Sequence, residues 1–288
     1  MPFFWQVIAR QGQLFGNQLK GSVAQVTNGK MFSYPGYNEL LTGWSDPTIR
    51  SNAKIPNRNV TVLEWLHRKP AFAGRVAVYS GWNVMPFIVN GARAGFPVMG
   101  GWEPLPVKPR NAREELLNDL IAETTPVTNA AEVFDSFVFH AGVEHLRNAR
   151  PRVMMWSFLE PDQWGHQGRY DWLLDSTHRV DDYVRRLWEL TQSMPEYAGK
   201  TSFVITTDHG RGSSPVEWKS HGVTINGAEN IWMAFLGPDT PALGERADSA
   251  TVTQSQIAGT IAALLGEDYS AAAPRAAPPI TEVRSSRN

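Results

Sequence analysis

The sequence predicts an α/β protein with a three-layer αβα architecture, in which a mostly parallel sheet lies between helices. Strand-like segments alternate with helix-like segments, which favours parallel strands joined by helical connections. One apolar segment ends abruptly in Asp208 and His209, as strands of open α/β sheets do beside a ligand site. The length of 288 residues and the hydrophobic content of 42% fit one large globular domain or two small ones.

Four segments read as strands because they are short, apolar and rich in β-branched or aromatic residues. They are RVAVYS (75–80), RVMMWSF (152–158), SFVITT (202–207) and IWMAFLG (231–237). The predicted helices cover 61–68, 112–123, 130–148, 171–193 and 255–266. Within 171–193, apolar residues such as Val180, Val184 and Leu187 recur at helical spacing.

Three further segments complete the predicted organisation. Residues 1–16 read as a helix followed by a short extended piece, and 81–109, rich in Gly, Pro and Trp, as an irregular excursion near the site. We assign residues 1–270 to one metallohydrolase domain. The Ala-, Pro- and Ser-rich residues 271–288 predict a mobile tail or a terminal arm draped on the domain.

Composition excludes several kinds of function. The net charge of −1 provides no strong field for nucleic acid or anionic membranes. No apolar stretch reaches about 18 residues, so no membrane span is predicted. The first residues lack the basic start and apolar core of a signal peptide. The absence of cysteine excludes disulfides, thiolate metal sites and cysteine nucleophiles, and it leaves compartment and oligomeric state open.

Candidate metal ligands follow two of the predicted strands. Asp208 and His209 end one strand, Asp162 and His166 lie in what reads as a Pro/Gly-rich loop after another, and His221 occurs in WKSHGV. Carboxylate oxygens and imidazole nitrogens suit Zn²⁺, with Mn²⁺ or Fe next. Each cluster taken alone also fits a turn residue beside a surface histidine. Their repetition after strand ends favours a metal site.

Ser33 is a candidate nucleophile. It opens the segment SYPGYNELLTG, which reads as a helix ending at Gly43. A hydroxyl at a helix N-terminus lies where backbone N–H groups and the helix dipole favour a phosphate. Coordination to a metal would lower its pKa and activate it. The alternative is that Ser33 only caps the helix.

In combination, these segments resemble the alkaline phosphatase superfamily, most closely its nucleotide pyrophosphatase/phosphodiesterase branch. That family has the order nucleophile, Asp-x-x-x-His, Asp-His-Gly and a late His-Gly. Here the order reads Ser33, DQWGH (162–166), DHG (208–210) and HG (221–222). The segment ATVTQSQIAGTIAALLG also resembles the closing helix of the family. The resemblance spans about residues 14–267.

The resemblance implies an alkaline phosphatase-like fold and a metal-dependent hydrolase of phosphoric esters, of the phosphodiesterase or phosphatase type. It implies two divalent ions, Zn²⁺ first and Mn²⁺ as the alternative. One ion would be held by Asp162, His166 and His221. The other would be held by Asp208, His209 and the oxygen of Ser33, which would form a phospho-enzyme.

The resemblance also implies a small-molecule phosphate ester as the substrate, with diesters or pyrophosphates slightly ahead of monoesters. Asn52 corresponds to a family asparagine that holds a phosphoryl oxygen, although its spacing from Ser33 is shorter by two residues. A turn residue is the alternative for Asn52. A formylglycine sulfatase is disfavoured, because the chain has no Cys and Tyr37 occupies the position of the sulfatase arginine.

The chain departs from the family before Ser33. The family supplies a further metal-binding Asp from its first strand, whereas the first acidic residue here is Glu39. We therefore expect an N-terminal truncation that lacks this strand, a second ion one ligand short unless Glu39 replaces it, and impaired activity. A periplasmic or secreted location is expected for a longer form.

Two other functions stay open. The first alternative is a catalytically weak or inactive member of the superfamily that binds metal or phosphate without turnover. The second is a phosphomutase, which needs an additional lid domain for which this chain has little room. The sequence leaves the leaving group of the substrate open.

Overall fold

The structure is a computed structural model that describes residues 1–108, 110–126 and 130–285. The α-helices are α1 (Ala9–Gln11), α2 (Ser33–Thr42), α3 (Val62–His67), α4 (Met85–Ile88), α5 (Gly91–Ala94), α6 (Ala112–Glu123), α7 (Asp135–Ala149), α8 (Glu160–His166), α9 (Tyr170–Ser193) and α10 (Gln256–Leu264). The strands are β1 (Gln13–Phe15), β2 (Ala24–Gln25), β3 (Val76–Ser80), β4 (Val98–Gly100), β5 (Val153–Ser157), β6 (Phe203–Thr206), β7 (Asn230–Ile231), β8 (Met233–Leu236), β9 (Gly244–Glu245) and β10 (Val252–Thr253). A π-helix, Phe4–Ile8, precedes α1.

The described residues form two compact units. The first comprises the described parts of Met1–Asn52, Gly165–Gly168 and Thr177–Asn288, and the second those of Ala53–Trp164 and Arg169–Ser176. The assignment of 1–270 to one domain and 271–288 to a tail stays a prediction. Among the described residues, even the 24-residue helix α9 lacks the apolar character needed to cross a bilayer.

The second unit contains a parallel sheet in the order β4-β3-β5. Because side chains alternate along a strand, Ala77 and Tyr79 of β3 face one side, where they pack with Val138 of α7. Val76 and Val78 face the other side and are equally buried. A strand buried on both faces is typical of a sheet covered by two layers. The predicted αβα class is therefore confirmed.

The first unit contains two mixed sheets. In the order β6-β8-β1-β9, β8 runs antiparallel to β6 and β1, and β9 runs parallel to β1. In the order β10-β2-β7, β2 is parallel to β10 and antiparallel to β7. The short extended piece predicted after the first helix is β1, and it pairs on both sides. Its pairing partners lie far along the chain, at Met233–Phe235 and Gly244–Glu245, so its interior position is not visible in the local sequence.

The prediction of a loop around Asp162 and His166 is wrong, because both lie in α8. Pro161 is tolerated there, since the first helical turn has no intrahelical bond to lose. The backbone N–H groups at the start of α8 are satisfied from elsewhere in the chain: Asp135 Oδ1 accepts from Leu159 N at 2.7 Å and Asp135 Oδ2 from Glu160 N at 3.0 Å. That remote cap explains why the local Pro/Gly content misled the sequence prediction.

Two other expectations are refined by the structure. Residues 81–109 are more regular than predicted, since the described part contains α4, α5 and the parallel strand β4. The predicted tail packs on the first unit over its described length: Ala277 N donates to Gly43 O at 2.8 Å, Ile280 N donates to Thr260 Oγ1 at 2.9 Å, and Val283 is fully buried. Of the two alternatives, these contacts favour a draped arm. Residues 286–288 lie outside the described residues.

Candidate active site

Ser33 is the first residue of α2, and its hydroxyl does not cap the helix. Phe32 occupies the N-cap position, and its side chain makes no capping hydrogen bond. The Ser33 hydroxyl instead lies 3.3 Å from His209 Nε2, longer than a strong hydrogen bond. The structure therefore does not show the capping role that was the alternative for Ser33.

Asn52 lies beside Ser33 at the same helix end. Its Oδ1 accepts from the backbone N–H of Tyr34 at 2.9 Å, which satisfies one of the helix's unpaired donors. Because this bond identifies the carboxamide oxygen, the Nδ2 group is the donor that remains for another acceptor. The position next to Ser33 thus combines a hydroxyl with a carboxamide donor.

A close approach of two backbones places α2 against the Asp208 turn. A Cβ added at Gly36 would lie 2.1 Å from Asp208 O, so only glycine fits there. The turn itself is held by Gln254, whose Nε2 donates to Thr207 O at 3.0 Å and to Asp208 O at 2.9 Å. Sequence reasoning missed both roles. The signal for Gly36 was a glycine inside the first turns of a helix, where glycine is otherwise unfavourable.

His209 is oriented with its Nε2 toward Ser33. Its Nδ1 lies 2.9 Å from Gly210 O and donates to it, which leaves the Nε2 lone pair available. The ring is buried, and Nε2 lies 3.7 Å from Asp208 Oδ2. Ser33 Oγ of α2 and Asp208 Oδ2 of the turn after β6 thus both lie within 3.7 Å of His209 Nε2.

His221 and His166 form the neighbouring cluster. His221 Nδ1 donates to Met31 O at 2.6 Å, and its Nε2 lies 3.0 Å from His166 Nε2. The His209 and His221 rings stack with 3.8 Å between their centroids. Asp162 precedes His166 by four residues in α8, a spacing that places two side chains on one helical face.

These donors fit a divalent cation. A metal-binding histidine typically donates its other ring N–H to a carbonyl or carboxylate, as His209 and His221 both do. The Nε2 atoms of His166 and His221 lie 3.0 Å apart, close enough for both to be ligands of one ion. The residues present therefore fit the ions that the resemblance implies.

Glu39 is not available as a substitute metal ligand. It is fully buried, and both of its oxygens accept hydrogen bonds from Thr27 and Asn28 at 2.7–3.0 Å. Burial raises the pKa of Glu39, and these hydrogen bonds oppose the rise. Its carboxyl group is thus directed at the loop before Ser33.

A comparison with known protein families gives a match over most of this chain. Residues 23–234 match the type I phosphodiesterase / nucleotide pyrophosphatase family, and this range includes each of the candidate residues above. The chain belongs to this family. Family membership supports the hydrolysis of phosphoric esters in general.

A curated relative of this phosphodiesterase-family chain is the 2,3-bisphosphoglycerate-independent phosphoglycerate mutase of Haloarcula marismortui. The two are 26% identical over 144 residues, which cover 50% of this chain and 25% of the mutase. The chain thus matches about a quarter of the length of that relative.

Solved structures show that the family fold is shared more widely. The phosphonate monoester hydrolase of Agrobacterium radiobacter is 13% identical with a TM-score of 0.58, covering 90% of this chain and 68% of that one. LtaP, a lipoteichoic acid synthase from Listeria monocytogenes, is 11% identical with a TM-score of 0.61, covering 91% and 65%. A TAB5 alkaline phosphatase mutant with bound Mg is 10% identical with a TM-score of 0.53, covering 88% and 91%. At these identities the likeness concerns the fold, which is alkaline phosphatase-like.

Proposed function

We propose that this chain hydrolyses phosphoric esters, with Ser33 as the nucleophile and two divalent metal ions as cofactors. The observation that carries the proposal is the position of the Ser33 hydroxyl. It lies at a helix N-terminus that it does not cap, and it is 3.3 Å from His209 Nε2. A serine whose only role is local would bond the backbone N–H groups of its own helix. This one faces a second element that carries an imidazole and a carboxylate.

The proposed ligands form two sets. Asp162, His166 and His221 hold one ion, while Asp208, His209 and the Ser33 oxygen hold the other. We propose Zn²⁺, with Mn²⁺ as the alternative, because nitrogen and carboxylate donors suit both. When bound, the ions lower the pKa of the serine hydroxyl and stabilise negative charge on the entering and leaving oxygens.

The chain's own residues supply the remaining chemistry. Ser33 Oγ loses its proton and attacks phosphorus as the bond to the leaving oxygen breaks. The leaving group departs and takes up a proton, and the phosphoryl group, with its second ester group when the substrate is a diester, is transferred to serine. Asn52 Nδ2 donates to a phosphoryl oxygen, and the Tyr34 N–H group fixes the carboxamide in the orientation that permits it. Water then attacks phosphorus, which breaks the bond to Ser33 Oγ, restores the hydroxyl and releases the phosphate product. Small phosphate diesters or pyrophosphates are the proposed substrates, ahead of monoesters.

A member that binds metal or phosphate without turnover is the second candidate. It is favoured by the second ligand set, in which Asp208 is the one carboxylate and the serine oxygen is the third donor. Each set contains one carboxylate, but the third donor of the second set is a serine hydroxyl, which is a weaker ligand than an imidazole until it loses its proton.

Hydrolysis of nitrophenyl phosphate and bis(nitrophenyl) phosphate, with and without added Zn²⁺ or Mn²⁺, separates these functions. We expect metal-dependent release of nitrophenol, faster from the diester, and its loss in Ser33→Ala. Ser193→Ala is the matched control, because Ser193 is exposed on α9 and its hydroxyl donates only to Leu190 O. Metal binding without turnover in the unmodified chain would favour the second candidate, and absence of metal binding would contradict the first candidate and the metal-binding form of the second.

A further inference from the structure

The buried carboxyl group of Glu39 holds the loop that precedes the nucleophile. Glu39 lies in α2 and is fully buried. Its Oε1 accepts from Thr27 N at 2.9 Å and from Thr27 Oγ1 at 2.7 Å, and its Oε2 accepts from Asn28 Nδ2 at 2.9 Å. Removing a buried charge from water is costly, so a carboxylate placed here needs these donors.

Asn28 links Glu39 to the next residues of the loop by hydrogen bonds. While its Nδ2 donates to Glu39, its Oδ1 accepts from Lys30 N at 2.8 Å and Met31 N at 2.9 Å. Met31 has a φ of +50°, in the left-handed region that non-glycine residues rarely occupy. Such a conformation persists only where the surroundings determine it. The two bonds from Asn28 therefore support a strained residue.

The strained residue orients a proposed metal ligand. Met31 O accepts from His221 Nδ1 at 2.6 Å, and His221 Nε2 lies 3.0 Å from His166 Nε2. An unbroken series of hydrogen bonds thus runs from Glu39 through Asn28 and Met31 to His221. Every bond in the series joins residues of the first unit, and no step depends on a bound ion.

We propose that Glu39 is a positioning residue that sets the tautomer and direction of the His221 imidazole through the loop 27–31, an inference that rests on the proposed metal-dependent function. The carboxylate suits this task because it only accepts hydrogen bonds, so it draws both Thr27 and Asn28 toward α2. In a carboxamide at the same position, an NH₂ group would replace one of the two oxygens. This NH₂ group would then face the N–H or O–H group of Asn28 or Thr27, and two donors cannot form a hydrogen bond. The hydrogen-bond series would then be broken without a change in side-chain volume.

Glu39→Gln is the central variant, and Asn28→Ala is the second, in case the first does not fold. The matched control is Glu64→Gln. Glu64 is equally buried but lies in the second unit, where it pairs with Arg68 and Arg93. All three variants alter a hydrogen-bonded polar side chain, whereas only Glu39→Gln and Asn28→Ala interrupt the path to His221.

Two measurements test the proposal. The affinity for Zn²⁺ is measured by competition with a chromophoric chelator, and the tautomer of His221 is read from imidazole ¹⁵N shifts in the metal-free chain. We expect Glu39→Gln and Asn28→Ala to lower the Zn²⁺ affinity by about 10–100-fold, as outer hydrogen-bond partners of metal ligands do. They should also shift His221 away from its Nδ1–H tautomer. Glu64→Gln should change stability but neither readout.

The outcomes distinguish the positioning role from the function it serves. A Glu39→Gln chain with the affinity and tautomer of the unmodified protein would overturn the positioning role while leaving the metal site intact. An equal loss of affinity in Glu64→Gln would overturn it too, because the effect would then follow from general destabilisation. If His221→Ala binds Zn²⁺ as tightly as the unmodified chain does, the proposed metal site is overturned, and the role of Glu39 at that site with it.

Discussion

The imidazole rings of His209 and His221 stack 3.8 Å apart at an interplanar angle of 23°, and each donates from Nδ1 to a backbone carbonyl. His209 donates to Gly210 and His221 to Met31, which belong to different loops of the first unit. Because each Nδ1 faces a carbonyl oxygen, each ring directs its Nε2 atom toward another side chain of the candidate active site. His209 Nε2 lies 3.3 Å from Ser33 Oγ, and His221 Nε2 lies 3.0 Å from His166 Nε2.

Ser33→Ala should lower phosphoesterase turnover by about 10³-fold or more, because the proposed nucleophile is lost. Stability should change by less than about 0.5 kcal/mol, since the hydroxyl does not cap α2. Steady-state kinetics with the diester and urea unfolding check the two expectations. Turnover equal to that of the unmodified chain would show that Ser33 is not the nucleophile.

The two ions should differ in affinity. The set of Asp162, His166 and His221 consists of strong donors, whereas the other set includes a serine hydroxyl, which must lose a proton to bind well. As the chelator concentration is increased stepwise, the ion at Asp208, His209 and Ser33 should be lost first, and activity with it. The ion at Asp162, His166 and His221 should stay bound. Metal analysis after each step checks this. His178→Ala, an exposed histidine on α9, should leave the series unchanged.

Simultaneous loss of both ions, or a first loss that leaves turnover intact, would contradict the assignment of the ligand sets. His221→Ala gives an independent check, because it should abolish the tighter class of binding. Retention of that class in His221→Ala would show that other residues hold the ion.

Gly36→Ala should separate α2 from the Asp208 turn. The added Cβ would lie 2.1 Å from a backbone oxygen, so backbone atoms must move, at a cost of about 1–3 kcal/mol or more. Gly91→Ala is the control, since its nearest contact is a valine methyl group at 3.3 Å, which can shift. We expect a lower unfolding midpoint and reduced turnover in Gly36→Ala alone. Equal behaviour of the two variants would contradict the close approach.

His145 should make the second unit sensitive to acid. Burial lowers the pKa of His145 from its ordinary value of 6.5, although Glu114 opposes the shift. The folded state therefore favours the neutral form of His145. The unit keeps its full stability above pH 6.5 and loses stability as the pH falls from 6.5 through the lowered pKa that His145 has in the folded state. His145→Phe should keep the ring contact with Tyr79 and remove the dependence.

Urea unfolding of the metal-free chain between about pH 8 and about pH 5 measures the His145 effect without protonation of bound metal ligands. The unmodified chain should lose stability relative to His145→Phe as the pH decreases. Parallel curves for the two chains would contradict a lowered pKa. The exposed His178 provides the control, since its replacement by Asn should give a curve parallel to that of the unmodified chain.

The sequence determined the αβα class and the family, because both rest on local patterns. Strand and helix periodicity is fixed by side-chain direction, and Ser33, Asp162, Asp208 and His221 occur in motifs whose order is readable along the chain. The tertiary structure decided the rest. Asp135 caps α8 from 24 residues away, and β1 pairs with strands more than 200 residues later. Hydrogen bonds join Glu39 to His221 through Asn28 and Met31.

These features share one physical reason. A hydrogen bond between residues distant in the chain depends on the packing of whole elements, and no local pattern of residue types specifies its partner. The sequence could thus name the groups that carry the proposed chemistry. Which nitrogen of each histidine is available, and which buried carboxyl group holds the loop behind it, followed only from the folded chain.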